Sequence, residues 1–295
     1  MADLTFVKSI GSGLTNRIEI LSEQPNGATA VGFELKTRNT LSTDGANLLR
    51  LINNATTVFD FSFQGGIDHV NSGASTAAHS QSLNLNWTAG TTNTSSGQYS
   101  CVIGSSNTAT AQGSLAIGVG NNTTGVKAAT FCGANTTSGD FSLGCGRQAL
   151  VGNAVTLGIG GAYFASNGDA QAMTSVLKVA TTDATQSTML AASTNMIIQP
   201  DTTWCFSGLV VARSDESDGN VSAGWKFEGI LKRDESASTV ITNVTVTEIG
   251  SAFTTAAVAV EADNTNEALA IKVTGEASTN IRWVAKLDIA QVGYA

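Results

Sequence analysis

The sequence predicts an all-β chain: a parallel β-roll of about 14-residue repeats, followed by an antiparallel β-sandwich or jelly roll. Three observations predict it. Glycine ends five similar segments at 104, 118, 133, 146 and 160, a repeat of about 14 residues. No Asp, Glu, Lys or Arg occurs between residues 70 and 126. From about residue 170 onward, charges return and apolar residues alternate with polar ones. A fixed short repeat is the mark of a solenoid, and alternation at period two is the mark of a strand.

The repeats read Ser100-Cys101-Val102-Ile103-Gly104, Ser114-Leu115-Ala116-Ile117-Gly118, Ala129-Thr130-Phe131-Cys132-Gly133, Ser142-Leu143-Gly144-Cys145-Gly146 and Thr156-Leu157-Gly158-Ile159-Gly160. Leu115 with Ile117, Leu143 with Cys145 and Leu157 with Ile159 share a strand face, so the apolar pairs stack from coil to coil. The glycine permits a bend. Asn107, Asn121, Asn122, Asn135 and Thr136 supply turn chemistry for the return. An earlier copy is expected to end at Gly90. Cys132 and Cys145 fall in the isoleucine slot and Cys101 in the leucine slot.

A coil of about 14 residues at about 3.3 Å each encloses almost no core. Several chains must therefore share one, and three around an axis is the simplest cyclic solution. Ile103, Leu115, Ile117, Cys132, Leu143, Cys145, Leu157 and Ile159 are the expected trimer-core positions.

Beyond residue 170, Trp225, Phe227 and Leu231 alternate with Lys226, Glu228 and Lys232, and Ile281, Trp283 and Leu287 lie in a similar run. Loops are expected at Asp215–Asn220, Asp234–Ser238, Asp263–Asn266 and Ala277–Asn280. The recurrence of strands suits a sandwich. In the N-terminal part, Ala30–Leu35 reads as a strand. The pair Asn53-Asn54 reads as a hairpin turn between two apolar runs, with a helix over 45–52 as the rival. The organisation expected is a virion-attachment or shaft region over 1–75, the roll over 76–165 and the knob over 166–295.

Composition excludes several functions. The chain has 295 residues, 15 Lys+Arg against 23 Asp+Glu, and a net charge of −8, so nucleic-acid binding is not expected. No apolar stretch approaches the ~20 residues of a membrane helix, and no signal peptide is expected at the start. The four cysteines form no metal-ligand spacing and read as reduced structural thiols. No metal or cofactor is expected. A Gly-x-Ser-x-Gly nucleophile elbow opening a helix is missing. Clustered acids such as Asp215, Glu216 and Asp218 read as solvated loops, with calcium as the rival use. His69 and His79 read as surface residues near the entry to the roll. The four tryptophans read as core rather than sugar platforms. On these grounds the chain is expected not to be an enzyme.

The Ser-x-Ala-Ile-Gly style of repeat over about 90–160 resembles the head repeats of trimeric adhesins, which form left-handed parallel β-rolls and also occur in bacteriophage fibres. The series Gly168-Asp169-Ala170-Gln171, Ile198-Gln199-Pro200-Asp201-Thr202-Thr203-Trp204, Val211-Ala212-Arg213, Trp225-Lys226-Phe227-Glu228-Gly229 and Ile281-Arg282-Trp283-Val284-Ala285 is similar to the C-terminal β-sandwich of tailed-phage fibre proteins. The resemblance implies a homotrimeric virion fibre made in the host cytoplasm. It implies attachment to a phage tail or capsid protein at the N-terminus and a knob that meets a host surface glycan or outer-membrane receptor. Asp215, Asp218 and Asn220 are the candidate receptor-binding residues. A capsid-decorating head fibre, a bacterial trimeric adhesin and a polysaccharide-depolymerising spike are the alternatives.

Overall fold

A computed structural model describes residues 47–53, 56–62, 67–69, 76–77, 83–86, 92–215, 217–235 and 238–294. Every regular element among them is a β-strand. The expected strand at Ala30–Leu35, His79 and Trp87 lie outside the described residues. Residues Thr43–Ala295 form one compact unit.

Strands β1 (Asn47–Asn53) and β2 (Thr56–Ser62) pair antiparallel with Asn53 opposite Thr56, so a hairpin forms here and the helix over 45–52 does not. Then come β3 (Ile67–His69), β4 (Thr76–Ala77), β5 (Leu83–Asn86), β6 (Thr94–Ser95), β7 (Cys101–Ser105), β8 (Thr108–Ala109), β9 (Leu115–Val119), β10 (Asn122–Thr123), β11 (Ala129–Gly133), β12 (Thr136–Thr137), β13 (Leu143–Arg147), β14 (Leu150–Val151) and β15 (Thr156–Gly161). The odd members stack in one parallel sheet and the even members in a second. Together they form a parallel β-solenoid of about five turns.

From β7 onward the register repeats every 14 residues. Gly104 pairs with Gly118, Gly118 with Cys132, and Gly146 with Gly160. This corrects the sequence alignment at one coil. Phe131 stands opposite Ile117, and Cys132 takes the glycine slot rather than the isoleucine slot. Its backbone follows, with φ of 75° against 123° at Gly118. The coil before β7 also differs from expectation: Asn86, not Gly90, pairs with Gly104.

The solenoid interior is small, and its contents show why. Val102, Ala116, Thr130, Gly144 and Gly158 point inward from the long strands, against Ala109, Thr123, Thr137 and Val151 on the short ones. Side-chain size is traded across the gap. A Cβ on Gly144 would lie 2.3 Å from the Thr137 hydroxyl oxygen, and one on Gly158 would lie 2.3 Å from a Val151 methyl. The expected apolar pairs are therefore not the coil's own core. They alternate with the inward residues and so face outward. Leu115, Ile117, Leu143 and Cys145 are half-buried, while Leu157 and Ile159 are 38% and 50% exposed.

Asparagines, not apolar side chains, tie coil to coil at one corner. Asn93, Asn107, Asn121 and Asn135 are buried and spaced by 14. The Oδ1 of Asn107 accepts from the N–H of Asn121 at 2.9 Å, and the Oδ1 of Asn121 accepts from Asn135 at 3.0 Å. Each Nδ2 donates to two carbonyls, as Asn121 does to Ile117 and Cys132. The series ends at Ala149, whose N–H donates to Asn135. Two corners of each coil are left-handed: Ser106, Gly120, Ala134 and Gln148 at one, Tyr99, Gly113, Lys127 and Phe141 at the other.

The remaining strands are β16 (Ala170–Thr181), β17 (Gln186–Thr188), β18 (Met196–Ile197), β19 (Thr202–Ser214), β20 (Ser222–Arg233), β21 (Thr239–Ser251), β22 (Ala257–Asp263), β23 (Ala268–Thr274) and β24 (Ile281–Gly293). β16 pairs antiparallel with β15, and the order continues β16-β24-β19-β20-β21. The long-strand sheet of the solenoid thus runs unbroken across residue 165. A smaller antiparallel sheet of β17, β18, β22 and β23 shares one apolar cluster with it. Trp204, Trp225 and Trp283 lie in that cluster, the last two stacked with ring centroids 5.5 Å apart. Burying such large rings stabilises by roughly 2–3 kcal/mol each.

The solenoid's last coil is closed by hydrogen bonds to this C-terminal part. Gln171 accepts from the Leu150 N–H at 2.9 Å and donates to the Leu150 carbonyl at 3.0 Å. In the reverse sense, the solenoid's own Asn153 side chain makes the same paired bonds with the backbone of Ile197 in β18. The Gln171 amide occupies backbone groups that a next coil would otherwise use, which blocks further pairing at that edge.

Candidate functional site

The outer face of the long sheet is the first feature of interest. Ile103, Ile117 and Phe131 stand in one row across the strands. Cys145 pairs with Ile159, Ile159 with Ala172, Ala172 with Ala290, Ala290 with Cys205, and Cys205 with Ile230. The row therefore continues from the solenoid onto the C-terminal sheet. Ala172, Ala290 and Cys205 are exposed, and Ile230 is 36% exposed. A contiguous apolar row on a chain's surface marks a contact region.

The second feature is a cleft at the strand ends. Its volume is about 590 Å³, and Thr181, Thr182, Arg213, Asp215, Asn280 and Arg282 are among its lining residues. One of the sequence candidates lines it, and the other two bond to its lining residues. Asp215 lies in the wall, and its Oδ1 accepts from the Ser217 hydroxyl at 2.7 Å and the Asp218 N–H at 2.9 Å. These bonds, the hydroxyl first, hold its carboxyl below the usual range. Asp218 Oδ2 accepts from the Asn280 N–H at 2.6 Å, which joins two loops. Asn220 is left-handed at φ 53° and accepts from Arg213 at 2.6 Å. The three residues are thus adjacent, but much of their polar capacity is spent on shaping the loop. Glu216 lies outside the described residues.

Sequence reading missed Arg213 and Arg282 as site residues. They stand directly opposite each other on β19 and β24, and both are exposed. Their sequence signal was faint, since each ends or starts a strand and their pairing depends on register. Cys101 and Cys145 are half-buried, and Cys132 and Cys205 exposed. Burial pushes the Cys101 thiol up, and burial, then the neighbouring Cys132, raises Cys145. No group of three His, Cys, Asp or Glu side chains that could hold a metal occurs among the described residues.

No protein-family model matches this chain, and no curated protein does. Three solved structures similar to it are phage tailspike proteins. The tailspike protein gp49 of Acinetobacter baumannii bacteriophage Fri1, described as a capsular polysaccharide depolymerase, aligns at 10% identity with a TM-score of 0.29. That alignment covers 68% of this chain and 35% of the spike. The tailspike of Acinetobacter baumannii phage AM24 aligns at 9% and 0.22, over 72% of this chain and 48% of its own. The tailspike of Acinetobacter phage vB_ApiP_P1 aligns at 12% and 0.21, over 72% and 50%. The chain thus spans half or less of the length of these spikes. A neighbour described as a depolymerase runs against the expectation that this chain is not an enzyme, and that expectation is withdrawn.

Proposed function

We propose that the chain is a homotrimeric fibre or spike of a bacteriophage virion that engages a host surface polysaccharide. One observation carries the reading: the outward row of Leu, Ile and Phe side chains on the solenoid. A row that a single chain leaves half-exposed at every coil is explained by copies that cover it. Ile103, Leu115, Ile117, Leu143, Cys145, Leu157 and Ile159 form this shared core in a left-handed roll. Cys132, in the glycine slot, borders it.

In this reading the N-terminal region meets a phage tail or capsid protein. The two C-terminal sheets form the sandwich knob, and the loops carrying Asp215, Asp218 and Asn220 face the host. Three weak glycan sites on one particle act together and raise avidity. The test is a panel of purified capsular polysaccharides, neutral and acidic, offered to the immobilised protein. Binding to at least one polymer is expected. Because the Fri1 spike is described as a depolymerase, the polymer's size is measured afterwards. A shortened chain assigns cleavage, and an unchanged chain assigns binding alone. Failure to bind any member of the panel would overturn the reading.

A further inference from the structure

Arg213 and Arg282 face the same side of the sheet as the apolar row, eight residues further along their strands. At about 3.4 Å per residue, they lie roughly 27 Å from Cys205 and Ala290. A copy packed on that row would leave them to one side. Like charges directly opposite across two strands repel and destabilise the pairing. The nearby cations are mostly neutralised: Lys226 with Glu228, Lys286 with Asp288, both at 2.8 Å. Arg213 has only the Asn220 amide oxygen, and Arg282 has no side-chain partner among the described residues. Exposed Lys178, one residue row away opposite Val284, adds a third unpaired cation. Asp215 in the same wall and Asp218 beside it carry negative charge, yet neither guanidinium has a carboxylate partner among the described residues, so both are left free to take up an anion.

From this we infer that the cleft holding Arg213 and Arg282 is a binding site for the carboxylate of an acidic sugar in a polysaccharide. The inference rests on the glycan-binding reading above and names its substrate class. Side by side at one strand spacing, about 5 Å, the two guanidinium groups can close on one carboxylate with forked hydrogen bonds. The same wall supplies the Thr182 hydroxyl and the Asn280 amide, groups suited to sugar hydroxyls. Asp215 forms no ion pair with Arg213 or Arg282 among the described residues; its Oδ1 accepts from Ser217 and Asp218 instead, so both guanidinium groups stay available.

The test uses the full chain and four probes. Oligogalacturonate and polysialic acid carry sugar carboxylates; maltooligosaccharide and dextran are neutral. The wild type is expected to bind at least one acidic probe, with affinity falling as salt rises, and to prefer it to the neutral ones. Arg213→Gln and Arg282→Gln should each weaken binding by about ten- to a hundredfold, since a hydrogen bond to a charged group is worth about 1.5–3 kcal/mol. Arg213→Lys should fall between, keeping charge but losing the fork. Both side chains are exposed and repel each other, so the Gln variants should melt no lower than wild type. Equal affinity of the double Gln variant, or no binding to either acidic probe, would overturn the inference. If the protein still binds a neutral polysaccharide from the capsular panel, the glycan reading survives that failure; if it binds nothing, both fall.

Discussion

Replacing Asn121 by alanine should unravel the solenoid at its middle. The side chain is 1% exposed. Its Oδ1 accepts from the Asn135 N–H at 3.0 Å, and its Nδ2 donates to the carbonyls of Ile117 at 2.8 Å and Cys132 at 3.1 Å. Alanine leaves the Asn135 N–H buried without an acceptor, which costs about 1–3 kcal/mol. The two lost donations cost about 0.5–1.5 kcal/mol each. The loss is therefore about 2–6 kcal/mol. At about 2–4 °C per kcal/mol for a unit of this size, Tm should drop by at least about 4 °C. Calorimetry at one scan rate and one protein concentration reads the change. Asn122→Ala is the control. Asn122 is the next residue in sequence, half-buried, and makes no side-chain hydrogen bond among the described residues. It should change stability by no more than about 0.5 kcal/mol. If both variants melt together, the asparagine series is not what binds coil to coil.

Three further predictions concern other links. Ile159→Asp places a charge on a side chain that is 50% exposed in the single chain; light scattering should show dissociation into monomers with the β circular dichroism retained. Ser106→Gly relieves a left-handed residue at φ 57° and should stabilise by about 1 kcal/mol, read as a raised Tm. Asp169 organises the loop between β15 and β16. Burial raises its pKa, but the N–H groups of Ala165, Ser166 and Phe164 together outweigh this and hold it low. A carboxyl depressed in the folded state adds stability above its unfolded value of ~3.9 and loses it as pH falls through the folded value. Asp169→Asn should therefore melt lower than wild type at pH 7, and the gap should narrow below pH ~3.9; a constant gap would contradict the assignment.

The repeat was legible because fourteen-residue periodicity acts on residue type directly. Glycine recurs where the chain bends, and apolar pairs recur along the strands. Which face those pairs occupy was not legible, since alternation at period two names two faces without saying which is inside. The inside is set by coil width, and at this width it holds only Ala, Thr, Ser, Gly or Val, with Asn84 in an early coil. The Cys132 slot was misread because Gly133 follows it, and glycine looked the better match to the bend. Cys132 adopts the left-handed backbone instead. Asn93, Asn107, Asn121 and Asn135 carried a visible 14-residue spacing, but turn chemistry explained them locally and hid the longer pattern. In the C-terminal part, the expected loops fall between strands, and the tryptophans lie in the core as expected. The candidate site was legible only in its loop residues. Arg213 and Arg282 are 69 positions apart in sequence, and only the pairing of β19 with β24 sets them face to face.

In the reading proposed above, copies of this chain share the outward row of the solenoid. Solution mass by light scattering after gel filtration, with and without heating in detergent, tests it most directly. A particle of three 30.1 kDa chains that resists detergent until heated is expected, as from a shared core. A monomer of 30.1 kDa with the solenoid intact would contradict it, because the row would then face water with no copy to cover it.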